Sequence, residues 1–527
     1  MIRKAIRSIV RYAISAAITF KDRSIRISDE ERGFGAFLKN LRELYPNNSN
    51  HNSEIILVPL ISDVGTMKLI SNIAFRIASE KKLKIKYFYV HTAIDVIIDR
   101  SSKLNFYTQQ YQNYNAFWLN KLCRIYSIRR RDILISNFFL PEFNASHNFK
   151  FRSKNDVLNI HYKGISIGEL IYDMYLRFRS KPTIELDDPS LADIYDYGVS
   201  LTEKWDQFFS AEKIEMMLSP YTTYLHWGVQ TRLALLHNVR VITFGSLIYM
   251  FSELRKEHPF HSKDHHLYRH LFDQLSGKTE KLSLAKIVLD ERLKGSVDSG
   301  TAYMKSSAFH NNRLQAFQID KDKLSAVIFL HCFFDSPHVY NGALFPDFFE
   351  WILFILRVAS ENSLINYYIK PHPNGLPANE EIIESLKKKF KDFENIKFIS
   401  NEISNLQIAE QKPNAVFTLY GTVAHEFAYL GFPVITAGDN PHMGYSFLYN
   451  PASVSELEHY IKNVGNFGLP PEYNPDEILE FFYMNYMYYS EKFNLGNFVM
   501  VKNFETGEVT LPQNCSIEDV IYRSKPL

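Results

Sequence analysis

The segment AVFTLYGTVAHEFAYLGFPV, residues 415–434, decides the fold expected for this chain. Residues 415–419 form an apolar run with the length and composition of a buried strand. A turn at Gly421 follows, then a helical pattern over 422–430, then a second strand-like run over 433–437. A strand, a turn, a helix and another strand in this order form the unit from which parallel α/β sheets are built.

The same alternation recurs through two long parts of the chain. In the first part, strands are predicted at 54–60, 84–90, 132–136, 157–161, 213–219 and 240–244, with helices at 67–79 and 228–237. In the second part, strands are predicted at 326–331, 366–370, 396–399, 415–419 and 433–437, with helices at 345–361, 379–391 and 422–430. We therefore predict an α/β protein with two doubly wound, Rossmann-like domains that face each other across a cleft.

The limits of the domains follow from where the alternation begins and stops. We predict a basic N-terminal helix over 1–30, a first α/β domain over 31–320, a second over 321–490 and a C-terminal tail over 491–527. Helical segments within 470–493 are expected to cross back onto the first domain. A chain of 527 residues is too long for one ordinary core, which supports the division into two domains.

Composition and charge exclude several classes of function. The 60 basic and 58 acidic residues leave a net charge of +2, so the whole chain lacks the basic character of a nucleic-acid-binding protein. Cys123, Cys332 and Cys515 are far apart and predict neither a disulfide framework nor a zinc ribbon. A reducing compartment such as the cytoplasm agrees with this cysteine usage.

The first 21 residues carry an amphipathic pattern. Basic and apolar residues alternate there at helical spacing, without the pure apolar stretch and cleavage site of a signal peptide. Such a helix can lie on an anionic membrane surface, or it can pack on the protein itself. A peripheral contact of residues 1–21 with the inner face of the cytoplasmic membrane is therefore one of two expectations.

Three segments that follow strands of the second domain carry side chains suited to an activated sugar. The first is Lys370-Pro371-His372-Pro373-Asn374, in which two prolines fix the backbone around the imidazole. A rigidly held histidine suits the stabilisation of a leaving phosphate, and the lysine adds positive charge nearby. The structural alternative is a histidine that only caps a helix.

The second segment is the turn Tyr420-Gly421-Thr422, with Glu426 one helical turn later. Backbone N–H groups at a glycine turn before a helix can bind an anion. Thr422 can bind phosphate or cap the helix, and Glu426 can accept hydrogen bonds from ribose hydroxyls. These four residues are predicted to bind the donor nucleotide.

The third segment contains Asp335, Ser336 and His338, which follow the strand predicted at 326–331. All three are candidates for hydrogen bonds to the donor. The alternative is an ordinary turn, because Asp and Ser-Pro are common turn residues.

Together these segments resemble the capsule polysaccharide biosynthesis family, which includes bacterial β-Kdo transferases. The resemblance is carried by FFDSPH at 333–338, KPHP at 370–373 and GTVAHEFAYLGFPV at 421–434, with looser similarity at 162–169 and 220–228. It implies a GT-B fold and an inverting, metal-independent transfer from a CMP-activated sugar. Carried over, His372 would contact the donor phosphate, and Thr422 and Glu426 would contact the nucleotide.

An inverting transferase needs a general base that deprotonates the acceptor hydroxyl. Carboxylates and histidines at strand ends of the first domain are the candidates, with Asp63 preferred and Glu169 and His91 next. Asp63 can instead cap its helix, because Asp is a favoured N-cap residue. His226 and Tyr224 are predicted to hold the acceptor.

Two further patterns have both a functional and a structural interpretation. His261 with His265, and His266 with His270, stand at the i,i+4 spacing that can bind a metal. No nearby carboxylate or cysteine framework supports such a site, so we expect neither a metal nor a cofactor. The basic run at 129–131 predicts a solvated face, or a contact with an anionic acceptor or lipid headgroup.

The sequence therefore predicts a glycosyltransferase that moves a sugar from a nucleotide donor to a surface polysaccharide, such as capsule or O-antigen, or to a glycolipid. A CMP-activated acid sugar such as Kdo is favoured by the resemblance, although no residue decides the sugar. Two alternatives stay open. One is a nucleotide-sugar epimerase or glycerophosphate transferase of similar architecture, and the other is a non-catalytic partner in polysaccharide assembly.

Overall fold

The computed structural model describes residues 29–45, 54–61, 64–89, 123, 128, 133–135, 151–244, 251–261, 265–297, 307–310, 315–340, 342–372, 378–488 and 522–523. The chain divides into two compact units. Unit 1 comprises Met1–Arg179, Glu185–His261 and Phe493–Leu527, and unit 2 comprises Ser180–Ile184 and Ser262–Lys492. The second unit thus begins at Ser262, earlier than the predicted boundary near residue 320.

Among the described residues, the main sheet of unit 1 has seven strands in the order β3-β2-β1-β6-β7-β8-β14. Neighbouring strands run parallel, apart from the antiparallel pair β7 and β8. A separate antiparallel hairpin is formed by β4 and β5. The strands are β1 Ile55–Leu60, β2 Lys84–Tyr89, β3 Ile133–Ile135, β4 His161–Tyr162, β5 Ile165–Ser166, β6 Ile214–Ser219, β7 Arg240–Phe244, β8 Phe251–Glu253 and β14 Tyr522–Arg523.

Helices connect the strands of unit 1. They are α1 Asp29–Leu44, α2 Val64–Lys81, α3 Lys154–Leu158, α4 Gly168–Arg179, α5 Pro189–Ala211 and α6 Leu225–Leu236. Helix α3 corrects the strand predicted at 157–161. The Ser153 hydroxyl accepts from the N–H of Asp156, and the Asp156 carboxylate accepts from the N–H of Ser153. This reciprocal cap starts a helix where the apolar residues alone indicated a strand.

The sheet of unit 2 is parallel throughout its described strands, in the order β11-β10-β9-β12-β13. The strands are β9 Leu324–Phe329, β10 Ile365–Lys370, β11 Ile396–Phe398, β12 Ala415–Phe417 and β13 Val434–Ile435. The α-helices are α7 Tyr268–Asp273, α8 Lys278–Leu293, α9 Phe348–Ser360, α10 Ala378–Lys389, α11 Asn405–Glu410, α12 Val423–Tyr429, α13 Val454–Lys462 and α14 Pro475–Tyr486, and short 3₁₀ helices occupy His265–Leu267 and Pro337–Val339.

Helix α14 packs on α7 and α8, which belong to unit 2, whereas the sequence prediction placed both of these helices in the first domain. The Tyr268 hydroxyl of α7 donates to Asn485 at 2.8 Å, and the guanidinium of Arg292 on α8 lies over the ring of Tyr486. These contacts also explain why the helical residues from 265 to 293 belong to unit 2. The chain returns to unit 1 through β14, which pairs with β8.

Both sheets have the strand order of a doubly wound fold. Numbered along the chain, the five parallel strands of unit 2 lie in the order 3-2-1-4-5, and β1, β2, β3, β6 and β7 of unit 1 lie in the same order. Every residue of β1 and of β10 is buried, as expected for parallel strands covered on both faces. The prediction of two doubly wound α/β domains is confirmed.

The strand order reverses between β1 and β6 in unit 1 and between β9 and β12 in unit 2. Ligands of doubly wound sheets bind beyond the carboxyl ends of the strands at such reversals. Among the helices that the structure describes, none combines the length and apolar character needed to cross a bilayer.

Candidate functional site

The carboxyl edge of the unit 2 sheet gathers most of the residues predicted to bind the donor. His331 lies two residues after β9, and the turn Tyr420-Gly421-Thr422 lies between β12 and α12. Strand β10, beside β9, ends at Lys370, and His372 follows two residues later. The segments that follow β9, β10 and β12 thus lie at the same edge of the sheet. The strand order reverses between β9 and β12.

His331 ties two of these segments together. Its Nε2 accepts from the backbone N–H of Tyr420 at 3.4 Å and lies 3.3 Å from the hydroxyl of Thr418. Its ring stacks on Phe348 with 4.8 Å between centroids. Burial, with a smaller contribution from the charge of His372, lowers the pKa of His331 to about 3. The ring is therefore neutral at physiological pH and serves as a fixed acceptor.

The turn at Gly421 is tightly packed. A Cβ there would lie 3.0 Å from the Thr418 hydroxyl and 3.6 Å from Cε1 of His331. Thr422 is the N-cap residue of α12, with φ −58° and ψ −28°, and its side chain makes no capping hydrogen bond. Capping therefore does not account for the Thr422 hydroxyl, and the predicted phosphate contact stands as its proposed role.

Lys370 is the last residue of β10. Its side chain is buried, its Nζ donates to Asn405 at 2.6 Å, and the same atom lies 5.7 Å from the ring centroid of Phe329. Burial lowers the pKa of Lys370 to about 7, against the opposing influence of the Glu426 charge. Lys370 therefore adds to the site through a charge that responds to pH near neutrality.

His372 is half-buried at the end of this segment. Burial lowers the pKa of its imidazole, the carboxylate of Asp335 opposes that shift, and the charge of Lys370 adds to it. The ring is therefore mainly neutral at pH 7, and a neutral imidazole can donate an N–H to a phosphate oxygen. Asn374, the last residue predicted in this segment, lies outside the described residues.

Glu426 is held by a buried arginine. Its carboxylate lies 3.6 Å from Nη1 of Arg292, and both side chains are almost fully buried. The Arg292 guanidinium lies 4.4 Å from the ring centroid of Tyr486 and 4.7 Å from that of Phe482. This enclosure fixes the carboxylate in position. A contact between Glu426 and a ribose stays a prediction.

The third predicted segment continues from His331. Asp335 is exposed, and its carboxylate accepts from the N–H of Ser336 at 3.1 Å, as in an ordinary turn. Ser336 is buried, and His338 is half-buried in the 3₁₀ helix Pro337–Val339. The negative charge of Asp335 favours the protonated form of His372 and so partly offsets the lowering of the His372 pKa by burial.

At the carboxyl edge of the unit 1 sheet, the described segment that follows β6 carries a group of aromatic side chains. Tyr224 has φ 59° and ψ 159°, a conformation that a residue with a side chain rarely adopts. Its ring stacks on His226, with 5.7 Å between centroids and 1° between planes. Phe178 packs against both rings. The two residues predicted to hold an acceptor thus form one stacked surface after β6.

His226 is buried, and burial lowers its pKa to about 3. Its Nδ1 has no hydrogen-bond partner among the described residues. Nearby, the ring of Tyr221 packs against Trp227 and His261, and the Thr222 hydroxyl lies 2.9 Å from Nδ1 of His261. His261 is thus part of this aromatic group in unit 1, whereas His265 belongs to unit 2.

Glu169 is engaged in a partly buried ion pair. Arg232 donates to its carboxylate, and the Ser166 hydroxyl donates at 2.6 Å. Burial raises the pKa of Glu169, but the charge of Arg232 and the two hydrogen bonds outweigh burial, and the net pKa is lowered. A carboxylate with a lowered pKa is a weaker base. Asp63 and His91 lie outside the described residues, so the choice of base stays a prediction.

Three residues of the candidate site in unit 2 were not predicted from the sequence. His331 ends the strand predicted at 326–331, and this position next to the reversal could have singled it out. Asn405 and Arg292 are far from the motifs along the chain. No local pattern connects them to Lys370 and Glu426.

No family model and no curated protein matches this chain. Solved structures with some similarity include a β-Kdo 2,4 transferase, KpsC of Thermosulfurimonas dismutans, at 13% identity over 52% of this chain and 80% of that chain, with a TM-score of 0.35. A glycosyltransferase from Rickettsia africae matches at 9% identity over 86% of this chain and 100% of that chain, with a TM-score of 0.27.

A UDP-GlcNAc 2-epimerase from Neisseria meningitidis matches at 11% identity over 82% of this chain and 96% of that chain, with a TM-score of 0.25. These three structures are thus two glycosyltransferases and one epimerase. All three TM-scores lie below 0.5, so the fold assignment stands on the strand order of the two sheets.

Proposed function

We propose that this chain is an inverting, metal-independent glycosyltransferase that moves a sugar from a nucleotide donor to a surface polysaccharide or glycolipid. The sequence resemblance favours a CMP-activated acid sugar such as Kdo. One observation carries the proposal: His331, His372 and the Gly421-Thr422 turn meet at the carboxyl edge of the unit 2 sheet, at its reversal of strand order. Doubly wound sheets bind nucleotides at this position.

Each residue of this edge has a proposed role in binding the donor. The neutral imidazole of His372 donates to an oxygen of the leaving phosphate. The N–H groups of the Gly421-Thr422 turn and the hydroxyl of Thr422 bind the same phosphate. The positive charge of Lys370 stabilises the negative charge of that phosphate. Fixed donors of this kind favour a transition state in which charge grows on the leaving group. Glu426, fixed by Arg292, accepts from the ribose.

The acceptor is proposed to bind through unit 1, where the stacked rings of Tyr224 and His226 offer an aromatic surface. Asp63 is the preferred base, followed by His91. Glu169 is the weakest of the three because Arg232 stabilises its charged form.

A thermal-shift screen with CMP, UDP, GDP and CDP tests the donor site. A ligand present at a hundred times its Kd stabilises the folded state by about 2.7 kcal/mol, so one nucleotide should raise Tm clearly. His372→Ala should abolish the shift. The matched control is His459→Ala, an exposed histidine of α13 in the same unit. If no nucleotide raises the Tm of the intact chain, the proposed function is wrong.

Asp63→Asn separates transfer from binding. The nucleotide shift should persist while transfer to the acceptor falls at least about a hundredfold, as expected when a general base is lost. Undiminished transfer would refute the assignment of the base. Conversion of the nucleotide sugar without any acceptor would instead identify the chain as an epimerase.

We further propose that residues 1–21 bring the protein to the inner face of the cytoplasmic membrane. The basic residues Arg3, Lys4, Arg7 and Arg11 lie at helical spacing there, and each such residue near an anionic surface is worth about 1 kcal/mol. Co-sedimentation with anionic vesicles, but not with neutral ones, is expected. Replacing the four residues by Gln should abolish it, and equal binding to both kinds of vesicle would contradict the proposal.

A further inference from the structure

A second group of polar side chains in unit 2 lies outside the residues assigned to the donor. His265, His266 and Asp439, called here the His–Asp cluster, each place one ligand atom within 4.8 Å of the other two. Nε2 of His265 is 2.9 Å from Oδ1 of Asp439, and Nε2 of His266 is 3.7 Å from Oδ2. Both imidazoles therefore face the same carboxylate.

The loop that carries Asp439 is held in one conformation. Gly438 has φ +70°, and a Cβ there would lie 2.9 Å from the carbonyl oxygen of Gly342. The N–H of Asp439 donates to the same oxygen at 3.2 Å. Asn440 is fully buried and donates to the carbonyl of Gly438 and to the side chain of Asn450. The carboxylate is therefore preorganised on a rigid turn after β13.

The histidines are also fixed, but they differ in exposure. The side chains of His265 and Asp439 are 2% and 12% exposed, whereas that of His266 is 45% exposed. The His265 ring packs on His266 at 4.1 Å and on Tyr340 at 5.5 Å between centroids. The cluster thus has a buried side and a solvent-facing side, through which a small ion and a water ligand can enter.

We propose that the His–Asp cluster binds one divalent transition-metal cation, with Zn²⁺ favoured. Two imidazole nitrogens and one carboxylate oxygen suit Zn²⁺, whereas Mg²⁺ and Ca²⁺ prefer oxygen ligands. Ligand atoms of a tetrahedral Zn²⁺ lie about 3.4 Å apart, given bonds of about 2.1 Å. The separations of 2.9 and 3.7 Å lie on either side of that value, and all three ligand atoms lie within 4.8 Å of one another, so rotations of the side chains would bring them to tetrahedral spacing.

The position of the cluster indicates what the cation does. Tyr340 touches His265 on one side and Tyr420 of the donor turn on the other, at 5.1 Å between the tyrosine rings. A cation here joins the 3₁₀ helix His265–Leu267 to the loop after β13, next to the proposed donor site. Its role is structural, and it does not depend on the proposed transfer reaction.

The competing explanation is that His265 and Asp439 only form a hydrogen bond with each other and bind no metal. The two explanations differ in a direct measurement. Tag-free full-length protein is dialysed against EDTA and then titrated calorimetrically with ZnCl₂ and, separately, with MgCl₂. We expect saturable binding of one Zn²⁺ per chain, binding of Mg²⁺ at least about a hundredfold weaker, and a higher Tm in the presence of Zn²⁺.

His266→Gln is the main variant, because this half-exposed side chain can be changed without opening the core. It should weaken Zn²⁺ binding more than about tenfold, because the loss of a residue that merely orients a metal ligand already costs about 10–100-fold in affinity. His270→Gln is the matched control, since His270 contacts Gln274 and lies outside the cluster. Asp439→Asn provides a second test of the cluster.

The absence of one-to-one Zn²⁺ binding by the intact protein would overturn the proposal. So would unchanged affinity in both His266→Gln and Asp439→Asn, or Mg²⁺ affinity equal to that for Zn²⁺. None of these results bears on the nucleotide screen, so the metal site and the proposed function can fail separately.

Discussion

The carboxyl edges of the two sheets share a strand order but differ in chemistry. In unit 2 the edge holds His331, Lys370 and His372, polar groups whose pKa values are all lowered by burial. In unit 1 the edge holds the stacked rings of Tyr224 and His226. Among the described residues, those of the unit 2 edge are suited to an anion, whereas the stacked rings of unit 1 present an aromatic face. The shared fold determines where a ligand can bind, and the side chains at the reversal of strand order determine which ligand it is.

The helices that follow the fourth parallel strand of each unit also correspond. In unit 1, Arg232 on α6 pairs with Glu169, and in unit 2, Glu426 on α12 pairs with Arg292. The unit 2 pair is the more deeply buried, with exposed fractions of 2% and 4% against 7% and 18%. Each of these two helices is thus held by an ion pair. We expect the more deeply buried pair to contribute more to the free energy of unfolding.

The largest expected effect tests this difference in burial. Arg292→Met should lower the free energy of unfolding by about 3–5 kcal/mol, because it leaves the Glu426 carboxylate buried without its partner. Arg232→Met should cost less, since Glu169 keeps the Ser166 hydrogen bond and some contact with water. Denaturant unfolding of both variants checks the order. The double variant Arg292→Met with Glu426→Gln should recover part of the loss, and failure to do so would argue against an unpaired charge as the cause.

A smaller effect is expected when a closely packed glycine near each edge is replaced by alanine. A Cβ on Gly228 would lie 2.4 Å from Leu170 and 2.8 Å from the carbonyl oxygen of Thr222, whereas one on Gly421 meets nothing nearer than 3.0 Å. Gly228→Ala should therefore destabilise the protein by about 1–3 kcal/mol and Gly421→Ala by less. Gly444→Ala, where nothing lies within 4 Å, is the control. Equal unfolding midpoints for all three variants would show that the Gly228 site relaxes freely.

The charge of Lys370 gives the unit 2 edge a dependence on pH near neutrality, whereas burial keeps His226 of the unit 1 edge neutral there. With its pKa lowered to about 7, Lys370 is protonated below that pH and loses its charge above it. Nucleotide affinity should therefore fall as the pH rises from 6.5 to 8.5, by about tenfold, a change of about 1.4 kcal/mol. Calorimetric titration across this range checks the fall. Lys370→Met should flatten the profile and Tyr224→Phe should not; a steep profile in Lys370→Met would exclude Lys370 as its source.

The smallest expected effect concerns the strained backbone at Tyr224. Tyr224→Ala and Tyr224→Gly both remove the ring, but only glycine adopts a φ of 59° without strain. The glycine variant should be more stable than the alanine variant by about 1 kcal/mol, despite its greater loss of chain entropy. Thermal unfolding of the pair measures the difference. If alanine is the more stable, the strain at this position is negligible.

Sequence patterns predicted the sheets better than the connections. The apolar runs at β1, β6, β9 and β10 were recognised because buried parallel strands are continuous and apolar. The boundary at Ser262 was missed, because the helices from 265 to 293 are too polar to indicate which core they cover. The strand expected at 157–161 was wrong because the Ser153 cap outweighed the apolar pattern.

Residues of the candidate site could be predicted from the sequence where they follow a strand directly along the chain, as His372 and Thr422 do. Partners that arrive from distant parts of the chain could not be inferred. Arg292, which fixes Glu426, and Asp439, which faces His265 and His266, have no local signal that connects them to these residues. The histidine spacing suggested the partners His261 and His270, but helical spacing does not supply a carboxylate from another loop.

The pairing of β14 with β8 has a consequence for how the protein is made. A ribosome releases residues 251–253 well before residues 522–523, and the long segment Ser262–Lys492 of unit 2 emerges between them. The nascent first sheet therefore exposes an unpaired strand edge during synthesis of the second unit, and such edges can pair with other chains. Covering β8 early with a chaperone, or supplying the final segment in trans as a peptide, should improve the yield of folded protein.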